Sequence, residues 1–241
     1  MRWIYISPHL DDAALSAGGW IYDQTQAGTP VEIWTILCGY PPTKELSLYA
    51  RLMHLQWGMP SVRSVVNMRR AEDKKAAAIL GAKVQHFDFL DCIYRIDKQG
   101  NWLYSNIFTD PHPNEADFPA EIAAAISARL KPDDKLVCQL GIGKHVDHVT
   151  VRRAAELLER PLHYVVDIPY YFKTPEHLGP KTVGMKEKVE RVSKAGLTSW
   201  KEAVLEYKSQ VSSLFKNTRT MRSQINQYCS DFGGIPFWLV N

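Results

Sequence analysis

Cysteine is scarce in this 241-residue chain, and none of Cys38, Cys92, Cys138 and Cys229 stands in a Cys-x-x-Cys pair. That excludes a disulfide scaffold and argues against a zinc site built from thiolates. Four dispersed cysteines without a secretion signal read as buried thiols of a reducing compartment. No apolar run approaches the ~20 residues that a membrane helix needs, so membrane insertion is not expected. The opening stretch is apolar only from Trp3 to Ile6, and Asp11 and Asp12 follow soon after. It has no signal-peptide core, so a cytoplasmic location is the expectation. Charge of one sign is not in excess either: 29 Lys+Arg face 26 Asp+Glu. A nucleic-acid partner, which needs a basic surplus, is therefore not expected. Internal repeats, low-complexity blocks and linkers are also missing, and one domain over residues 1–241 is the simplest organisation.

What the chain does have is 45% hydrophobic residues, enough for a packed core. They fall into short β-rich runs alternating with amphipathic stretches. Strands are expected at residues 2–6, 31–37, 84–89, 136–140 and 163–167. Helices are expected at 12–27, 69–80 and 118–130, and again through Val151, Ala154, Ala155 and Leu158. The pair Gly18-Gly19 costs a helix about 2 kcal/mol in propensity, which marks a close approach by another element. A long connection, 38–67, contains a helical segment at 44–57 with Leu48, Leu52 and Leu55 as its apolar stripe, stopped by Gly58 and Pro60. Residues 90–113 read as a loop rich in aromatic and turn residues. Residues 186–194 fit neither period cleanly, and 200–215 read as one helix with Val204, Tyr207, Val211 and Leu214 on one face. The alternation predicts an α/β fold of Rossmann-like type, a doubly wound, mostly parallel sheet with helices on both faces.

Ligands of such sheets bind beyond the carboxyl ends of the strands. Two polar clusters fall there. Ser7-Pro8-His9-Leu10-Asp11-Asp12 follows the first strand, and Lys144-His145-Val146-Asp147-His148 follows the fourth. If the turn after His9 is already helical, His9 and Asp12 share a face while Asp11 points elsewhere. One carboxylate can then bind a cation while its neighbour faces what the cation holds. His148 from the second loop completes a His-Asp-His set, and three protein ligands leave the open position of a catalytic zinc. A bound water with its pKa lowered to about 7 is the reagent needed for amide hydrolysis. Asp11 is then the general base. His145, as imidazolium, stabilises the oxyanion or protonates the leaving amine, and Asp147 orients a histidine from behind. The competing reading of Asp11-Asp12 is a helix cap with a dipole-complementing charge.

The same residues resemble the LmbE-like, or PIG-L-like, zinc-dependent N-deacetylases. The family's Ala/Ser-His-Pro-Asp-Asp-Glu motif is similar to Ser7-Pro8-His9-Leu10-Asp11-Asp12-Ala13, with Leu10 for the usual proline and Ala13 for the usual glutamate. Its His-x-Asp-His motif is similar to His145-Val146-Asp147-His148. Arg69-Arg70-Ala71-Glu72 looks like the family's Arg-x-x-Glu helix, and Tyr207-Lys208-Ser209-Gln210 resembles its Ser/Thr-Gln stretch. The likeness spans residues 3–215. It implies a Rossmann-like fold, His9, Asp12 and His148 as Zn2+ ligands (a set that Fe2+ would also fit), and Asp11 as base. It also implies His145 at the oxyanion or leaving group and substrate contacts from Arg69 and Asp91. The implied partner is an N-acyl amino-sugar small molecule. Self-association is left open. Gly143 stands where some relatives carry a tyrosine.

Tyr40, Tyr94, Arg95, Trp102 and Tyr104 lie in the loops around this rim. They suit either a sugar ring or the packing of a long loop. A dinucleotide-binding enzyme would need Gly-x-Gly-x-x-Gly after the first strand, where this chain carries acids instead. A non-haem iron oxygenase uses a similar ligand set but has no need of Asp11. A binding module without turnover would not need the whole constellation.

Overall fold

The computed structural model describes residues 1–43, 45–58 and 61–240. Among these, the first half alternates strand and helix: β1 (Trp3–Ser7), α1 (Asp12–Gln26), β2 (Val31–Leu37), α2 (Leu48–Gln56), α3 (Val62–Ile79), β3 (Lys83–Phe89), α4 (Phe118–Ser127), β4 (Lys135–Gln139), α5 (Val146–Glu156) and β5 (Leu162–Val165). Two single-turn helices follow, α6 (Tyr170–Lys173) and α7 (Leu178–Lys181), then β6 (Met185–Glu190), α8 (Lys194–Leu205), α9 (Lys208–Phe215), α10 (Thr218–Phe232) and β7 (Ile235–Val240). The strands form one sheet in the order β3-β2-β1-β4-β5-β7-β6. The first five are parallel, and β7 pairs antiparallel with both β5 and β6. The strand order reverses between β1 and β4, which is where such sheets open a crevice for ligand.

The central strands are buried on both faces, which explains their continuous apolar runs. Ile4, Ile6, Ile33, Ile36, Leu136 and Val137 are almost wholly excluded from water. Gly18 and Gly19 do mark a close approach: a Cβ at Gly18 would sit 2.5 Å from the Trp200 ring, and one at Gly19 2.7 Å from Val192. Trp200, on α8, is itself fully buried and donates from its indole nitrogen to the Leu15 carbonyl. Cys38, Cys92 and Cys138 are buried thiols and Cys229 is half-buried. Among the described residues no helix is long and apolar enough to cross a membrane.

Several expectations need correction. The helix of the second connection runs Leu48–Gln56, and its leucines face solvent: Leu48 is 76%, Leu52 56% and Leu55 74% exposed. A second stripe at the same spacing, Ala50, Met53, His54 and Trp57, faces inward instead. It is held there by the hydrogen bond between His54 Nε2 and the Tyr94 hydroxyl. The expected start of this segment at Lys44, and Pro60 of its expected stop, lie outside the described residues. The next helix starts at Val62, not at residue 69, because Ser61 caps it by accepting from Ser64 N. Residues 200–215 are two helices rather than one. The chain breaks at Tyr207, whose hydroxyl donates to Asp73, while Ser209 donates from N and Oγ to Glu72. The ambiguous 186–194 region is mostly strand β6. Beyond residue 215, α10 buries Met221, Ile225 and Tyr228, and β7 fills the sheet between β5 and β6.

Candidate metal centre and active site

The site sits on the rim at the carboxyl ends of β1 and β4. Ser7 ends β1 and accepts a hydrogen bond from Ala13 N at 3.0 Å, serving the start of α1. Asp11 occupies the N-cap position but makes no side-chain cap bond. Capping therefore does not account for Asp11, whose carboxylate is left facing the cavity. Its backbone has φ 157° and ψ −33°, a conformation costly for a residue with a Cβ. Asp12 begins the helix and accepts from His9 N at 2.8 Å. The expected pairing of His9 with Asp12 thus arises from a turn before the helix rather than from a helical face.

His9 Nδ1 lies 3.3 Å from Asp12 Oδ2, and His148 Nε2 lies 3.5 Å from the same oxygen. Ligand atoms of His9, Asp12 and His148 all lie within 4.8 Å of one another, and all three side chains are buried. The rings of His9, His145 and His148 are 4.9–5.3 Å apart, centroid to centroid. Behind His9 and His148 stand two carboxylates. Asp147 Oδ2 is 2.8 Å from His9 Nε2, and Asp167 Oδ1 is 2.7 Å from His148 Nδ1. Each bond fixes its ring so that the other nitrogen faces the centre, the arrangement that orients metal-bound histidines. His148 Nε2 is buried and has no hydrogen-bond partner. In the neutral ring that nitrogen carries a lone pair beside a carboxylate and a second imidazole, a donor set that suits a divalent cation.

The electrostatics agree. Burial works against charge on His9, but hydrogen bonds to the Asp12 and Asp147 carboxylates more than offset it and hold its pKa well above the ordinary value. Burial and the Asp12 charge raise Asp11, with the Arg69 guanidinium 3.6 Å away opposing them, and its pKa settles at about 7. Asp12 goes the other way, down to about 2, because His148 and His9 outweigh its burial. Two adjacent carboxylates with pKa values driven apart is how environment divides base from ligand. The expected imidazolium at His145 is not what this setting favours. Burial and the two neighbouring histidines hold it well below its ordinary pKa. Its Nδ1 accepts from Asp147 N as the cap of α5, which leaves Nε2 as the N–H donor of a neutral ring.

A cavity of about 180 Å3 opens over this centre. Its floor includes His9, Asp11, Asp12, Arg69, Asp91 and His145. Arg69 and Asp91, the expected substrate contacts, both line this cavity, 4.0 Å apart. The expected aromatic wall is made of other residues. Among the described residues, Tyr40, Tyr94, Arg95, Trp102 and Tyr104 do not line this cavity. Tyr94 and Tyr104 are buried against α2 and Glu115, and Tyr40 lies beside Arg70 on the outside. The aromatics that do line it are Tyr49, Trp57, Phe108 and Tyr170. Tyr170 takes the space beside Gly143, where a Cβ would sit 2.7 Å from that of Tyr170, and its ring meets His148 edge-on at 5.3 Å. Sequence reasoning missed Asp167, Tyr170 and Trp57. For Asp167 a signal existed, an acid at the carboxyl end of β5 next to the crevice.

Trp57 lines the cavity and offers a ring face to a ligand there, with the Arg69 guanidinium 5.0 Å from its centroid. Stacking of this kind is worth about 0.5–1.5 kcal/mol. Trp57→Ala should raise KM by about three- to tenfold and leave kcat nearly unchanged, as expected for uniform binding. Steady-state kinetics check this, and an unchanged KM would remove Trp57 from the binding wall.

The family model for PIG-L, GlcNAc-PI de-N-acetylase, matches residues 4–158. The 2'-N-acetylparomamine deacetylase of Niallia circulans is 27% identical over 232 residues, covering 88% of this chain and 82% of the relative. The structure of teicoplanin deacetylase Orf2 in a zinc-inhibited form superposes with a TM-score of 0.84 at 28% identity, covering 99% of this chain and 97% of that one. The A40926 pseudoaglycone deacetylase Dbv21 gives 0.78 at 28% identity, covering 98% and 96%.

Proposed function

The chain belongs to the PIG-L family of GlcNAc-PI de-N-acetylases, and on that premise we propose that it is a metal-dependent deacetylase. It removes an N-acyl group, acetyl first among them, from an amino-sugar-containing small molecule, with Zn2+ as its cation. The whole of residues 1–241 acts as one unit. The observation that carries this reading is the convergence of His9 Nδ1, Asp12 Oδ2 and His148 Nε2 beside an Asp11 carboxylate that capping leaves free. The relatives described above include deacetylases of 2'-N-acetylparomamine and of teicoplanin, which supports the reaction class.

His9, Asp12 and His148 would hold the cation, which when bound would act as a Lewis acid and lower the pKa of water to about 7. Asp11 accepts the proton of the attacking water and passes it to the nitrogen that leaves, so amide and water become acid and amine. Neutral His145 donates from Nε2 to the amide oxygen as negative charge develops there. Arg69 and Asp91 orient the sugar against the floor, and the apolar wall keeps bulk water from the bond. Asp147 and Asp167 touch no substrate; they hold the ligand rings.

The experiment is acid release from a panel of N-acyl amino sugars and their glycosides, with the metal-free protein given one equivalent of Zn2+ or, anaerobically, Fe2+. Hydrolysis with Zn2+ supports the assignment, and activity with Fe2+ alone would change the metal. Saturable sugar binding without release of acid would contradict it in favour of a binding module.

A further inference from the structure

Arg95 belongs to the aromatic-rich loop after β3, yet its side chain turns away from the cavity. It is 5% exposed, and its guanidinium carbon lies 5.2 Å from the Tyr104 ring centroid and 5.0 Å from that of Phe118. Nε is in charge contact with Glu115 Oε1 at 2.7 Å and NH1 with Asp147 Oδ1 at 2.7 Å, while NH1 also donates to the Leu90 carbonyl at 3.0 Å. The other oxygen of the same carboxylate, Asp147 Oδ2, meets His9 Nε2 and accepts from Cys92 N at 3.0 Å. Contacts therefore run unbroken from Glu115 through Arg95 and Asp147 to His9.

We propose that Arg95 is a positioning residue for the metal centre. It holds the Asp147 carboxylate in the orientation that directs Oδ2 at His9 Nε2, and so turns His9 Nδ1 towards Asp12 and His148. Asp147 is wholly buried, and a carboxylate at such depth needs a fixed counter-charge. A planar guanidinium can face two carboxylates at once and lie between aromatic rings, which an ammonium cannot do equally well. The same network anchors the cavity wall. The Tyr104 hydroxyl donates to Glu115 Oε2 at 2.5 Å and accepts from His112 N, while Val146 N donates to the carbonyl of Ile107, beside Phe108.

This inference rests on the metal reading above, and its test separates the two. Wild type, Arg95→Met and Arg95→Lys are prepared metal-free. Zn2+ affinity is measured by competition with a chelator, and the visible spectrum of the Co2+ form reports the geometry of the ligands. Arg95→Met is expected to lose about 10–100-fold in Zn2+ affinity, as for other outer partners of metal ligands, with an altered Co2+ spectrum. Arg95→Lys should recover part of the affinity, and KM should change less than twofold in both variants because Arg95 does not touch substrate. A folded Arg95→Met with wild-type affinity and spectrum overturns the proposal. If that variant does not fold, Arg95→Lys decides: a several-fold loss of affinity at wild-type Tm supports the proposal, and undiminished affinity refutes it. Failure of the wild type to take up either ion would overturn the metal reading, and this inference with it. Uptake by wild type and variants alike would overturn only the role of Arg95.

Discussion

Asp11→Asn should lose about 10²–10⁴ in kcat while keeping its metal, because removing a general base costs about that much and Asp11 is outside the ligand set. The substitution preserves shape and the loose contact with Arg69 but removes the proton acceptor. The pH profile gives an independent reading. Burial and the Asp12 charge raise the Asp11 pKa to about 7. The carboxylate must be ionised to act, so the wild-type rate falls as pH drops through that value and is restored as pH rises. A cation beside Asp11 favours its charged form, so the midpoint in the loaded enzyme lies at or below 7. Asp11→Asn should lack this acid limb. A variant retaining a tenth of the rate or more, with the limb intact, would assign the base elsewhere.

His148→Ala should abolish stoichiometric metal binding. His148 is 1% exposed, and its Nε2 has no hydrogen bond to lose. Removing only an outer partner of a ligand costs 10–100-fold in affinity, so loss of the ligand itself should cost on the order of 10³-fold or more. A saturating cation at 100 times its Kd raises stability by about 2.7 kcal/mol. Wild-type Tm should therefore climb on metal addition while that of His148→Ala stays flat. The variant should also be less stable without metal, by about 1–3 kcal/mol, because Asp167 loses its imidazole partner inside the protein. Metal content near one per chain in the purified variant would show that the ligand set is wrong.

The parallel half of the sheet and the convergence of His9, Asp12 and His148 were legible because local chemistry and topology pointed the same way. Apolar runs marked β1, β2 and β4, and acids and histidines directly after two of them fell on the side where α/β sheets bind ligand. The exposed leucines of α2 show where periodicity misleads. Two stripes with helical spacing lie on one helix, and the buried one is chosen by a tertiary bond between His54 and Tyr94 that no local pattern reveals. The place of Arg95 was hidden for a related reason, since it exists only through a partner distant in the chain, Asp147. By contrast, α10 and β7 carried readable signals: Met221, Ile225 and Tyr228 spaced by four and three, and an apolar run after Gly233-Gly234. The break at Tyr207 depends on α3, whose Glu72 and Asp73 capture the chain as it passes.

The most direct measurement is the anomalous diffraction of crystals loaded with one equivalent of Zn2+. The account predicts a single strong peak at bonding distance, about 2.0–2.2 Å, from His9 Nδ1, one Asp12 oxygen and His148 Nε2, with Asp11 uncoordinated. A peak elsewhere, or one bound by Asp11 in place of Asp12, would contradict it.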